Sequence, residues 1–75
     1  MHFTGGFDVT PHDDNDLPHM ARALIPAATG DITVVCKNGD TFTLTDVIAG
    51  QTYHLPLIRK VLDTGTDAIA IVALY

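Results

Sequence analysis

Two alternating strand-like runs flank Asn38-Gly39, and this arrangement is a strong short-range signal for a β-hairpin. A two-residue loop would put the apolar side chains of the two strands on opposite faces. A three-residue loop instead pairs Val34 with Phe42 and Ile32 with Leu44, so all four lie on one face. Because a shift of one residue reverses the facing of every side chain, we predict the second register. It requires a left-handed Gly39 in a G1 bulge.

The composition extends the β prediction to the whole chain. The 75 residues include no Glu and no Ser; all nine acids are Asp, and Thr occurs ten times. Glu favours helices, whereas Asp favours turns and Thr favours strands. Turn signals recur about every ten residues, which is typical of small all-β domains. We therefore predict an all-β fold, a small antiparallel β-sandwich or barrel of about six strands with an extended N-terminal arm.

The remaining strands are placed less directly. Residues 7–10 and 22–26 are predicted strands, and a short helix over 18–24 is the alternative to the second of these. A further strand covers 51–62, where Pro56 is expected at a sheet edge or a bend. The last run, 68–75, is apolar on both faces, so it is either a central strand or a subunit interface.

Charge divides the chain into two predicted parts. Residues 1–20 form an extended acidic arm with four Asp and no Lys or Arg, a charge of −4. Residues 21–75 form a single β-domain with five Asp and four cations, a charge of −1, and the sum is the net −5. Nucleic-acid binders need clustered Lys and Arg, so no nucleic acid is expected as a partner.

Other features bear on location and stability. We find no apolar run of about 18 residues, so no membrane partner is expected, and no N-terminal secretory signal. The single cysteine excludes an internal disulfide and a cysteine-rich zinc site. A chain this short gains little from its core, so self-association is the leading source of further stability.

The residues give little support to catalysis or metal binding. The run from His12 to Asp16, with His19, has oxygen ligands but lacks the Gly and Glu positions of an EF-hand. We interpret it as an Asp/Asn-rich turn whose side chains cap backbone amides, so no metal or other cofactor is expected. Cys36 lies on the predicted apolar face, where a thiol is a small inert hydrophobe. We therefore expect no catalytic residue and no enzyme.

Arg59 and Lys60 form the only basic pair. Adjacent strand residues point to opposite faces, so they are not expected to form one patch. They either protect a sheet edge or pair with Asp residues of a neighbouring subunit, and the sequence favours neither. The residues predicted to lie between subunits are Arg22, Arg59, Lys60, Ile69, Ile71, Tyr75, Asp13, Asp14 and Asp16.

An ordered series of short segments resembles one family. In order they are Val9-Thr10-Pro11, Asp16-Leu17-Pro18, Arg22-Ala23-Leu24, GDITVV (30–35), VIAG (47–50), Leu55-Pro56, RKV (59–61), TGT (64–66) and IVAL (71–74). The series resembles the spike-base proteins found at capsid vertices of gene transfer agents and some tailed phages. It covers about residues 9–75. The chain departs from that family in its stiffer segment 25–29, where the family has a glycine-rich link.

The resemblance implies a virion structural protein made in the host cytoplasm and located at the capsid surface. It implies a homo-oligomer, with a pentamer favoured, that anchors a spike or fibre at a fivefold vertex. The shell protein would lie below it and the fibre protein above. The alternatives are a neck or tail structural protein and a small soluble ligand- or carbohydrate-binding β-module. A metal-dependent enzyme built on the arm ranks last.

Overall fold

In a computed structural model, which describes residues 3–67 and 70–75, the chain forms one antiparallel sheet of six strands. The strands are β1 (Gly6–Val9), β2 (Ala21–Ile25), β3 (Gly30–Cys36), β4 (Thr41–Val47), β5 (Tyr53–Val61) and β6 (Ile71–Leu74). Their order in the sheet is β1-β6-β2-β5-β3-β4, so β1 and β4 are the edges. The predicted all-β class and the number of strands are confirmed. Within the described residues, no helix could span a membrane.

The sheet supplies both the frame and the cover of the core. Every strand contributes a side chain to one buried cluster, for example Val9, Leu24, Ile32, Val47, Ile58 and Ile71 in chain order. A flat sheet without helices would leave one face of these residues in water. The described strands instead bury them almost completely, which requires the sheet to curl around the cluster. The interior of the chain is therefore a single core enclosed by one sheet.

The predicted hairpin register is confirmed. Val34 pairs with Phe42 and Ile32 with Leu44, and Gly39 has φ of 97°. The Gly39 amide donates to the Cys36 carbonyl at 2.9 Å, which closes the three-residue loop. Local pattern and turn chemistry are thus sufficient to define this element.

The outer face of β3 is more covered than the hairpin pattern indicates. Thr33, which points away from the core, is only 8% exposed. Its amide donates to Thr66 Oγ1 at 2.9 Å, and its hydroxyl donates to the Gly65 carbonyl at 3.1 Å. The loop after β5 therefore lies over β3 and is held there by threonine side chains.

Pro56 lies in a bend of an interior strand. β5 runs between β2 and β3, so of the two expected positions, a sheet edge or a bend, the edge is excluded. Ala21 pairs with Ile58 while Ala23 pairs with His54, which leaves two extra residues on β5. Pro56 falls within this bulge, where a missing N–H is tolerated. The expected bend is thus present.

The last strand is central, as one of the two readings of its sequence proposes. β6 lies between β1 and β2, and Ile71 and Ala73 belong to the core. The predicted strand begins earlier, at residue 68, but Ala68 and Ile69 lie outside the described residues. The described part of the strand thus packs within its own chain.

Candidate assembly site

The part of the arm that follows β1 lies against the domain along the second half of β5. After β1, the His12 amide donates to the Val61 carbonyl at 2.9 Å and the Leu17 amide donates to the Arg59 carbonyl at 2.7 Å. Leu17 also packs against the core cluster. On this side of β5, β2 covers only the first part of the strand. The arm directly precedes β2 in the chain, and it covers the remaining part of the same side. The arm therefore lies along β5 rather than extending away from the domain.

Arg59 and Lys60 reach the same carboxylate of the arm. Asp16 Oδ1 lies 3.1 Å from Arg59 Nη1 and 3.8 Å from Lys60 Nζ. The expectation that the two cations point to separate faces is thus wrong. The reason is a second bulge in β5: Val35 pairs with Lys60 and Cys36 with Ile58, so Arg59 is an extra residue. A bulge re-aims the side chains beside it.

The ion pair fastens the arm but adds little stability. The side chains of Arg59 and Asp16 are 36% and 59% exposed. Ion pairs this accessible to water typically contribute about 1 kcal/mol or less. These ion pairs therefore mainly fix the position of the arm, because they hold Asp16 beside the second half of β5.

Asp13 makes the more directional contact. Its Oδ1 accepts from the Thr64 amide at 2.9 Å and its Oδ2 accepts from the Thr64 hydroxyl at 2.6 Å. Hydrogen bonds from the side chain and backbone of Thr64 favour the charged carboxylate and lower the pKa of Asp13. The arm is thereby joined to the same loop that covers β3.

This contact makes the arm sensitive to acid. Because the pKa of Asp13 is lower in the folded chain, its carboxylate stabilises the fold above about pH 3.9, the usual Asp value. That contribution is lost as the pH falls through the lower folded-state pKa. We expect Asp13→Asn to lower the free energy of unfolding at neutral pH and to flatten its dependence on pH in the acid range, measured by urea unfolding. Asp14→Asn leaves the Thr64 contact intact and is the matched control; equal effects of both changes would contradict the assignment.

His12 caps the turn expected from the Asp/Asn-rich run. Its Nδ1 accepts from the amides of Asp14 and Asn15, at 3.0 and 3.3 Å. The interpretation as a capped turn is therefore confirmed, although the imidazole rather than an Asp provides this cap. Within residues 3–67 and 70–75, no three His, Cys, Asp or Glu side chains are arranged to hold a metal ion.

An aromatic cluster joins the two ends of the described chain. Tyr75 stacks on His19 with ring centroids 4.1 Å apart, and Phe7 lies 6.0 Å from Tyr75. A Cβ built on Gly5 would lie 2.9 Å from the Tyr75 hydroxyl oxygen, so a larger residue at this position would require the ring to shift. Sequence reasoning missed this cluster, because nothing local shows that residues 7, 19 and 75 meet.

The candidate intersubunit residues occupy different environments. Ile71 is 1% exposed in the chain's own core, Tyr75 packs on His19, and Asp13 and Asp16 contact β5 and its following loop. The side chains of Arg22 and Asp14 are exposed, and Ile69 lies outside the described residues. Contacts between subunits at these residues remain a prediction.

A shallow pocket of about 410 Å³ lies beside the hairpin loop. Its lining includes Cys36, Lys37, Pro56 and Leu57. The cysteine is a free thiol and is buried, in agreement with its predicted place on the apolar face of the hairpin. The pocket is therefore an open apolar surface between the first bulge of β5 and the loop of the hairpin.

The chain is a small β-domain built on a single sheet, with the arm held along the second half of β5. A solved structure with this fold is a chain in the "capsid of native GTA particle computed with C5 symmetry", where GTA denotes a gene transfer agent. The two chains are 31% identical, with a TM-score of 0.84, over 99% of this chain and 84% of that one. The chain therefore belongs to the family of this gene transfer agent capsid protein.

Two other comparisons give nothing further. No protein-family model matches the chain, and no curated protein sequence matches it. The family assignment thus rests on similarity in both structure and sequence to the capsid chain.

Proposed function

We propose that this chain is a virion structural protein without catalytic activity, an oligomeric base that anchors a spike or fibre on a capsid. The observation that carries the proposal is the match to a gene transfer agent capsid chain over 99% of this sequence. A likeness that extends over the whole domain supports a shared place in a particle. The proposed location is the capsid surface.

A fivefold vertex is the proposed position within the capsid. The related particle was computed with C5 symmetry, and a pentamer on a fivefold axis fits that symmetry. The side chains of Met20, Ile48 and Leu57 are apolar and exposed in the single chain, so they are available for contacts with shell, fibre or neighbouring copies. The relative's place in a capsid favours the head over a neck or tail position.

The arrangement of the aromatic side chains favours a structural role over carbohydrate binding. Sugar-binding modules present exposed aromatic rings for stacking. Here Phe7, Phe42 and Tyr53 pack against the core, and Phe3 stacks on His54 with centroids 6.1 Å apart. These rings are engaged within the chain rather than arranged as an open platform.

The native mass of the purified chain tests the proposal. At micromolar concentration we expect a mass of about five chains, because a C5 ring contains five copies. A stable monomer would contradict the oligomeric base. A stable dimer or tetramer would contradict the fivefold position while leaving a structural role in the virion.

A further inference from the structure

Both edges of the sheet are open in the single chain. β1 pairs only with β6 and β4 only with β3, so each has one side that no described strand covers. Open edges present unpaired N–H and C=O groups and are usually protected by Lys, Pro or bulges. Residues 41–44 of β4, Thr-Phe-Thr-Leu, contain none of these, because the bulge in β4 comes after them at residues 45 and 46. β1 contains no Lys, Pro or bulge.

The backbone groups exposed at each edge can be assigned. Gly5 and Tyr75 exchange both backbone hydrogen bonds, at 3.0 and 3.3 Å. Bonded and non-bonded pairs alternate along an antiparallel ladder, so the N–H and C=O groups of Gly6 and Asp8 point away from β6. At the other edge the Cys36 amide donates to the Asp40 carbonyl at 2.7 Å. The same alternation turns the backbone groups of Thr41 and Thr43 outward, within the regular part of the pairing that ends at Leu44.

The side chains of β1 and β4 alternate between the core and the outer face in a matching way. The residues with outward backbone groups carry their side chains on the outer face of the sheet at both edges. Their neighbours Phe7 in β1, and Phe42 and Leu44 in β4, face the core and are only half buried. Pairing that satisfies the backbone groups therefore also sets Phe7 of one copy beside Phe42 and Leu44 of another. Cross-strand contact of such side chains is the main stabilising interaction in sheets.

The strand directions also agree. All five pairings in the sheet are antiparallel, so β1 and β4 run in opposite directions. A rotation about an axis along the strands keeps the direction of β1. It therefore brings β1 of the next copy antiparallel to β4. Repeated contacts of two different surfaces close into a ring when the rotation is a simple fraction of a turn.

We propose that copies of this chain assemble head to tail, with the β4 edge of one copy hydrogen-bonded to the β1 edge of the next. The inference rests on the proposed oligomeric function and names the surface that performs it. One sheet then continues from copy to copy. Joining the edges buries the half-exposed side chains of Phe7, Phe42 and Leu44, and no open edge remains in the ring.

Proline substitutions test the pairing, because proline removes one outward N–H without altering the ladder inside the chain. We expect Thr41→Pro at the start of β4 and Asp8→Pro in β1 each to abolish the oligomer at micromolar concentration. Each variant keeps one intact edge, so an equimolar mixture is expected to form a dimer of the two variants and nothing larger. Thr41→Val keeps the N–H and the branched side chain, and this control should assemble like the unmodified chain.

Native mass spectrometry distinguishes the outcomes. If the unmodified chain is oligomeric and both proline variants remain so, the edge pairing is wrong while the proposed function stands. If only Thr41→Pro dissociates, two β4 edges pair with each other and the head-to-tail arrangement is wrong. A monomeric unmodified chain would overturn the proposed function as well.

Hydrogen exchange of the unmodified chain gives a test that does not depend on variants folding. The amides of Thr43 and Asp8 are expected to exchange slowly in the oligomer and quickly after dilution to monomers. Rapid exchange at both positions in the intact oligomer would contradict the edge pairing.

Discussion

Replacing Ile58 with alanine is expected to lower the free energy of unfolding by about 3 kcal/mol, within the range for deletion of a buried Ile side chain. Ile58 is 0% exposed, and it lies in β5 where that strand pairs with both β2 and β3. Loss of its side chain leaves a cavity. Because β5 is hydrogen-bonded to a strand on each side, the surrounding structure can move little to fill that cavity. Small domains have few kcal/mol to lose, and a large fall in melting temperature is expected.

Ile48→Ala is the matched control for this prediction. Ile48 is 59% exposed, and the contact it makes with Tyr53 uses its backbone amide, which the substitution keeps. The expected change is about 0.5 kcal/mol or less. Both variants should be unfolded by urea at one fixed protein concentration, because association adds to apparent stability. Equal losses would show that Ile58 is not a central element of the core.

Gly65→Ala is the second change with a large expected effect, a loss of about 2 to 3 kcal/mol. Gly65 has φ of 85°, a conformation that costs an L-residue about 1 kcal/mol or more. In addition, its Cβ would lie 2.6 Å from Thr33 Oγ1. Either the loop moves away from β3 or the Thr33 hydroxyl rotates away from the loop, and in both cases hydrogen bonds of Thr33 are weakened.

Gly50→Ala separates backbone strain from contact with β3. Gly50 has a similar φ of 80°, but a Cβ there meets nothing within 4 Å. We expect this variant to lose only about 1 kcal/mol, the cost of the left-handed conformation. Thermal or urea unfolding of the two variants measures the difference. Similar losses for both would mean that the loop over β3 moves freely enough to admit a methyl group.

What the sequence predicts depends on how local the responsible interactions are. The β3–β4 hairpin is determined by Asn38-Gly39 and by which residues alternate around it, so its register follows from a few neighbouring positions. Strand number follows from the spacing of turns. Strand order does not, because β1 and β6 come from opposite ends of the chain and nothing local links them. For this reason the sequence alone leaves two interpretations of the last strand, a central strand or a subunit interface.

The candidate site is less predictable than the hairpin. The second bulge in β5 brings Arg59 and Lys60 to Asp16, and the bulge arises from pairing with β3 rather than from the residues themselves. Similarly, Asp13 meets Thr64 only because the arm follows β5. An ordered series of short segments reflects the whole fold, and the resemblance based on it predicted the relation to a gene transfer agent capsid that the solved capsid chain supports.

The pairing of β1 with β6 has a consequence for how a newly made chain acquires its fold. The β3–β4 hairpin is local and can form within microseconds of its synthesis. β1 has no partner until β6 has been made, roughly 3 to 13 s later at usual rates of translation. During that interval Phe7 and Val9 have no sheet to join. Completion of the fold therefore waits for the synthesis of β6, and a ribosome paused before β6 would hold a chain with an open sheet that is prone to aggregate.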